Sequence, residues 1–252
     1  MKEASVIIPA KNEESTIARV IKTAKKVNLV DEVIVVDSHS TDRTAEEASR
    51  SGAKVIEQSS SRPGKGRALE SGLKAASGDI AVFFDADIVN VAPSMFERLI
   101  RPVVEDKADF IKGMFDRKGG RVTELVAKPL LQMFFPKTTN FSQPLSGESA
   151  SKRKILEEIK FEPSWGVDIG ILLDIMKPNV RIREANLGFI KHVPRPLTYL
   201  QGMAYEVASA ILRRAKAEGR WIQEEVVEMR ETETGLEEAL KDIQTGDRLA
   251  VR

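Results

Sequence analysis

Cysteine is absent from this chain of 252 residues. That excludes disulfides and thiolate metal sites and fits a reducing compartment. No apolar stretch approaches the roughly 20 residues needed to span a bilayer. The N-terminus enters directly into Ala4-Ser5-Val6-Ile7-Ile8-Pro9 with no secretory-leader pattern, so the expected address is cytoplasmic. Neither sign of charge is in excess. The 39 Lys and Arg against 38 Asp and Glu leave a net charge of +1, which gives no bulk attraction to nucleic acid or anionic membrane. Any anion must therefore be recognised locally. Internal repeats and low-complexity segments are also missing. What is there is 42% hydrophobic and 31% charged, the balance of a soluble globular chain. Its length suits one large domain, or one domain with an elaborated C-terminal part.

The first half alternates apolar runs with helical periodicity. Strand-like runs fall at Val6 to Pro9, Glu32 to Asp37, Ala53 to Ile56, Ile80 to Phe84 and Asp109 to Phe115. Between the first two, Ile17, Val20, Ile21, Ala24 and Val27 recur at helical spacing, with Asn12 as the expected N-cap and Glu13 and Glu14 in the first turn. A second helix is expected from Ser40 to Asp42 up to Gly52, and a third from Gly66 to Ala76. Alternating strands and helices predict a doubly wound, mainly parallel α/β sheet. Beyond residue 117 the pattern changes. A turn at Gly119 to Thr123 leads into a helix through Leu131, and an irregular loop covers Phe134 to Glu148. A helix over Gly166 to Met176 and a strand over Val180 to Ile190 follow. From Leu197 the chain reads as helical, with Leu200, Met203, Val207, Ala210 and Ile211 in one apolar stripe that suits a core or a dimer surface. The organisation expected is an α/β half at 1–117, a second half of the same domain at 118–200, and a helical C-terminal extension at 201–252.

The richest segment is Ile80-Ala81-Val82-Phe83-Phe84-Asp85-Ala86-Asp87. In an extended chain Asp85 and Asp87 project to the same side. They fall where a buried strand emerges at the carboxyl edge of an open sheet. Two convergent carboxylates there suit a hard divalent cation, and such a cation suits a diphosphate. The spacing alone occurs about once by chance in a chain this long; the preceding strand sets it apart. Two more polar loops, Pro9-Ala10-Lys11-Asn12-Glu13-Glu14 and Asp37-Ser38-His39-Ser40-Thr41-Asp42, open at the same edge. Each reads locally as a strand-to-helix turn, with Ser40 or Thr41 as a cap. Together they can also seat a nucleotide. Arg62-Pro63-Gly64-Lys65-Gly66-Arg67 sets permissive glycines and the Lys65 cation at a helix start, where exposed amides attract phosphate. The alternative is a glycine turn with solvated cations. Gly119-Gly120-Arg121-Val122-Thr123 can cradle a second anion through backbone amides, Arg121 and Thr123, or be a surface turn. His39 reads as a packed or solvent-facing residue. His192 can join the aspartates as a metal ligand. Asp168 opens a helix and can cap it, bind sugar hydroxyls or act as a base, and Glu148 is a lesser candidate of the same kind.

These residues resemble a known family. Val6 to Glu14, Asp37-Ser38-x-Ser40-Thr41-Asp42 and Asp85-x-Asp87 are similar to nucleotide-sugar glycosyltransferases of the GT-A fold. Gly119 to Val126, Gln143 to Glu148, Gly166 to Gly170, Asn186-Leu187-Gly188 and His192 narrow the resemblance to the glucosyl-3-phosphoglycerate synthases and their mannosyl relatives. The resemblance implies retaining transfer of a hexose, glucose before mannose, to the 2-hydroxyl of 3-phosphoglycerate. The implied donor is UDP-glucose or GDP-mannose, with Mg²⁺ or Mn²⁺ and a homodimeric state. It places Pro9, Ala10, Lys11, Glu13 and Ser38 around the nucleotide, Lys65 on the donor, and Asp85-Ala86-Asp87 at the diphosphate. Asp87, His192 and Asp85 then ligate the metal, and Gly120, Arg121, Val122 and Thr123 hold the acceptor. Asp168 stands where the family has a glutamate that holds the sugar hydroxyls, and Trp165 where it has a tyrosine. Ile190 and Pro194 replace an arginine and an asparagine, removing one cation and one acceptor contact.

The chemistry expected is electrostatic. A metal and Lys65 stabilise the departing diphosphate, and the acceptor loop aims a hydroxyl at the anomeric carbon. In a front-face retaining reaction a leaving phosphate oxygen takes the proton, so Asp168 orients the sugar and no protein nucleophile is required. The alternatives are transfer to a polyprenyl phosphate or polysaccharide, and a binding scaffold that senses nucleotide sugars without turnover.

Overall fold

The computed structural model describes residues 4–59, 63–116, 119–176, 178–191 and 197–220. All of them up to Gly219 belong to one unit. Its centre is a seven-stranded sheet built from β1 (Ala4–Ala10), β2 (Val30–Asp37), β3 (Lys54–Glu57), β4 (Ile80–Phe83), β5 (Phe110–Met114), β6 (Ser149–Lys152) and β7 (Ile182–Asn186). The spatial order is β3-β2-β1-β4-β6-β5-β7. All neighbours are parallel except β6, which runs antiparallel to both β4 and β5. The chain steps outward from β1 to β2 and β3, then returns to β4 on the other side of β1. That reversal opens a crevice at the carboxyl ends of β1 and β4, where open α/β sheets bind ligands.

The helices are α1 (Ile17–Ala24), α2 (Thr44–Arg50), α3 (Lys65–Ala75), α4 (Pro93–Val104), α5 (Lys128–Phe134), α6 (Arg153–Glu157), α7 (Val167–Ile175) and α8 (Leu197–Ala217), with a π-helical turn at Thr123–Ala127 before α5. The continuous apolar runs of β1, β2 and β4 are explained by their burial between helices. Ile17, Val20, Ile21 and Ala24 of α1 bury one face, and Met95, Phe96, Leu99, Ile100 and Val103 of α4 bury another. Phe84, just past β4, stacks on Phe96 with ring centroids 4.2 Å apart. This fixes the point at which the chain leaves the sheet towards Asp85.

The five strands expected in the first half and the first three helices are present, with ends shifted by a few residues. Three local expectations fail. Asn12 does not cap α1: it sits in the left-handed region at φ 57°, α1 starts at Ile17, and no acidic residue lies in its first turn. Ser40 and Thr41 do not cap α2. Arg43 is the N-cap, without a side-chain cap bond, and Asp42 just before it accepts the Thr44 N–H at 3.0 Å. Sequence periodicity also predicts no element for α4 and none for β6. Pro93 and Pro102 interrupt the first, although Pro93 sits at the first turn, where its missing N–H costs nothing. The second is a short Ser-Ala-Ser-Lys strand without apolar alternation.

The apolar stripe of α8 is core in its central part. Val207, Ala210, Ile211 and Ala215 are buried, and the helix packs on α7. Arg214 clamps the two helices, reaching Asp174 at 2.7 Å and Glu162 at 2.6 Å.

Candidate active site

The crevice is a cavity of about 560 Å³. Pro9 and Ala10 line it from the end of β1, Lys11 and Glu13 from the loop that follows, Ser38 from the loop after β2, Lys65 from the start of α3, and Asp85, Ala86 and Asp87 from the turn after β4. All nine residues assigned to the donor by sequence therefore share one cavity wall. Asn12, Ser15, Pro63, Gly64, Ser164 and Trp165 complete it.

The two nucleotide-side loops are tied to each other. The Asn12 N–H donates to Ser40 Oγ at 2.9 Å, the Thr41 N–H to Asn12 Oδ1 at 2.8 Å, and the Glu13 N–H to Thr44 Oγ1 at 2.8 Å. Asn12 and His39 both take positive φ, bending each loop back over the sheet edge. Ser40 and Thr41 thus serve loop-to-loop lacing rather than helix capping. His39 lies on the outside, 3.5 Å from Glu57, in keeping with its solvent-facing assignment.

Asp85 and Asp87 line the same cavity, but not by strand alternation. The strand ends at Phe83, and a turn begins immediately after Asp85. Asp85 lies directly against Gly147: a Cβ there would come within 2.4 Å of its Oδ2. Only glycine permits that approach, so Gly147 is a site residue that sequence reasoning passed over.

Lys65 is the centre of the charge arrangement. Its buried Nζ sits 2.8 Å from Asp85 and 2.9 Å from Asp168. Burial opposes its charge, and Asp168 and Asp85 overcome that, holding the ammonium well above the usual lysine range. Burial pushes the Asp168 carboxyl up, against the pull of Lys65 and Lys112. Lys112, at the middle of β5, is 2% exposed, and burial brings its ammonium down to about 8 despite Asp168 nearby. Counted by formal charge, Asp85, Asp87, Asp168 and Glu148 exceed Lys65 and Lys112 by two negative charges. A hard divalent cation matches that excess and the oxygen donors.

Two parts of the expected anion binding change. Two of the amides around the start of α3 are already taken. The Arg67 N–H donates to the Pro163 carbonyl at 3.1 Å and the Gly64 N–H to Gln58 Oε1 at 3.4 Å. Lys65 is likewise neutralised by two carboxylates rather than solvated. At the acceptor loop the Gly119 N–H is taken by Glu124 Oε1 at 3.0 Å, and Arg121 and Val122 are already helical. Val122 and Thr123 are buried, while Gly120 and Arg121 are exposed. None of these four lines the main cavity.

His192 and Pro194 lie outside the described residues, as do Arg62, Arg117 and Lys118. Among the described residues no group of three or more metal-ligating side chains occurs, so Asp85 and Asp87 are the described part of the assigned ligand set. Ile190 is 1% exposed and belongs to the main core. The position thus serves packing in this chain. Trp165 stands at the cavity wall with its backbone N–H held by Glu206 of α8 at 2.7 Å. Lys112 and Glu206 carry a signal only partly visible in the chain: Lys112 is a lone charge inside the apolar run Phe110 to Met114, whereas nothing marks Glu206.

A doubly wound sheet, a cavity at its switch point and paired aspartates after β4 define a nucleotide-sugar transferase of the GT-A type. The family model for glycosyl transferase family 2 matches residues 5–157, and the chain belongs to that family. It is an enzyme, a glycosyltransferase. Within the family it is similar to glucosyl-3-phosphoglycerate synthases. That of Mycolicibacterium smegmatis is 39% identical over 84% of this chain and 78% of its own length. That of Petrotoga mobilis is 36% identical over 86% and 74%. The crystal structure of the Mycobacterium tuberculosis enzyme with Mn²⁺, UDP-glucose and phosphoglyceric acid superposes with a TM-score of 0.81 at 41% identity, covering 85% of this chain and 80% of that one. The same enzyme has also been solved with Mg²⁺ and UDP. Among the described residues no helix is long and apolar enough to cross a membrane.

Proposed function

We propose that this enzyme transfers glucose from UDP-glucose to the 2-hydroxyl of 3-phosphoglycerate with retention of anomeric configuration. The observation that carries the reading is the single cavity that gathers the donor-side residues around Lys65 and Asp85, with the buried Asp168 paired to Lys65 behind its wall. The ligands of its relatives support it. Pro9, Ala10, Lys11, Glu13 and Ser38 seat the nucleotide. Asp85 and Asp87, with His192, hold Mg²⁺ or Mn²⁺, which when bound supplies positive charge opposite the departing diphosphate. Lys65 adds a second, fixed positive charge on the same side, kept protonated by its two carboxylate partners.

Asp168, reached through Lys65 at the cavity wall, takes the role of accepting hydrogen bonds from glucose hydroxyls and so sets the face that the sugar presents. Its carboxylate is already engaged by Lys65, which makes it a poor nucleophile. The acceptor is held by Gly120, Arg121, Val122 and Thr123, with Arg121 as the exposed cation for phosphate or carboxylate. Its hydroxyl proton passes to the leaving diphosphate oxygen as the new bond forms. Incubation with 3-phosphoglycerate, Mg²⁺ or Mn²⁺ and a panel of nucleotide sugars, read by mass spectrometry, tests the reading. UDP-glucose is expected to give a hexosyl phosphoglycerate fastest. Preference for GDP-mannose, or label moving only into an organic-extractable lipid, would overturn it.

A further inference from the structure

Among the described residues, Lys112 is a buried cation near the cavity to which the proposed reaction gives no role. It projects from β5 and does not line the cavity. Its Nζ makes a single hydrogen bond, to the backbone carbonyl of Asp168 at 3.3 Å. Among the described residues it forms no ion pair, and its other two donors meet no acceptor there. Charged groups nonetheless surround it: Asp168 on α7, Glu148 before β6, Asp85 after β4 and Lys65 on α3. Its register partner on β7, Glu184, is spent on Ser142 at 2.9 Å. Glu148 is fixed from two sides. Its carbonyl accepts the Gly113 N–H at 2.8 Å, and its Oε2 accepts the Ser146 hydroxyl at 2.9 Å.

Burying an ammonium without a direct carboxylate partner costs stability that an apolar side chain of the same length would not. A purely structural role would be better filled by methionine. The position of the charge explains the choice. Lys65 grips the Asp168 carboxylate from the cavity side at 2.9 Å, and Lys112 grips the same residue from within the sheet through its carbonyl. Asp168 is thereby held at both ends, at the first turn of α7.

We propose that Lys112 is a positioning residue for the donor sugar: its buried ammonium anchors the first turn of α7 and balances the Asp168 and Glu148 carboxylates, so that Asp168 meets the sugar hydroxyls in one fixed orientation. This rests on the reading that Asp168 binds the sugar. Because the effect passes through Asp168, it concerns the glucose and not the nucleotide.

The test compares UDP-glucose with UDP. K112M, D168N and the double variant are assayed for the KM of UDP-glucose and for inhibition by UDP, with thermal melts beside them. K112M is expected to raise the UDP-glucose KM on the order of tenfold, the scale of one lost hydrogen bond to a charged group. UDP inhibition should stay within about twofold of the parent. In the D168N background K112M should add nothing further. If methionine at this position does not fold, K112Q, which keeps an N–H donor and loses the charge, supplies the same comparison. Equal losses of UDP and UDP-glucose binding, or additive effects of the two substitutions, would overturn the role of Lys112. A D168N variant with an unchanged UDP-glucose KM would instead overturn the sugar-binding reading of Asp168.

Discussion

Gly66→Ala is expected to be among the most damaging one-methyl changes in the molecule. A Cβ at Gly66 would lie 1.7 Å from the Glu162 carbonyl oxygen and 3.1 Å from Val167 Cβ. Relief requires the 162–167 backbone or the start of α3 to move by more than an ångström. The first is not free to retreat, because Arg214 of α8 holds the Glu162 carboxylate at 2.6 Å and the Arg67 N–H holds the Pro163 carbonyl. Overpacking of this kind costs about 1–3 kcal/mol. For a unit of this size that is roughly 2–12 °C in Tm. Activity should fall further than stability. Gly66 adjoins Lys65, and the displaced segment leads into Asp168, so the shift separates the ion pair at the centre of the site. A misplacement of about 1 Å can cost on the order of 100-fold in rate. Thermal melts with steady-state kinetics check both numbers. A variant with unchanged Tm and an unchanged kcat/KM would refute the close contact between α3 and the 162–164 segment.

Three further outcomes follow from other parts of the structure. Gly202→Ala, on α8 with nothing within 4 Å of the added methyl, should raise Tm through a gain of about 0.5–1 kcal/mol; a lower Tm would contradict the helix there. Asp109 is held well below the usual carboxylate range by Arg181, with Lys152 adding to it. A depressed carboxyl gives stability that is full above its unfolded pKa of about 3.9 and is lost as pH falls. Asp109→Asn should therefore lower stability at neutral pH by about 1 kcal/mol, Arg181 being half-exposed, and flatten the loss below about pH 4 in acid-unfolding curves. A parallel, merely displaced curve would sink that assignment. Arg121→Ala should raise the acceptor KM about tenfold with the UDP-glucose KM unchanged, and an effect confined to the donor would remove Arg121 from the acceptor site.

The donor side of this site was legible because its polar residues follow directly on apolar strands. Pro9 to Glu13, Ser38 and Asp85 to Asp87 each begin where a hydrophobic run stops, and a doubly wound sheet brings such ends together. Lys65 stood out through its flanking glycines, but its two carboxylate partners did not, since Asp168 lies 103 positions away. Nor could local pattern show that the Gly64 and Arg67 amides are occupied, because their partners come from Gln58 and Pro163. β6 stayed hidden for a different reason. It is held by β4 and β5 on either side, and its small polar side chains, Ser149 and Ser151, fit a crowded sheet interior without any hydrophobic alternation. Lys112 was visible as a charge within an apolar strand, yet its meaning depends on α7 arriving above it.

The most direct measurement is proton NMR of the product formed from UDP-glucose and 3-phosphoglycerate, with and without a divalent cation. Transfer with retention through Asp85, Asp87 and Lys65 predicts an α-glucosyl group on the 2-hydroxyl, formed only when the cation is present. A β-linked product, free glucose alone, or equal turnover in chelator would contradict it.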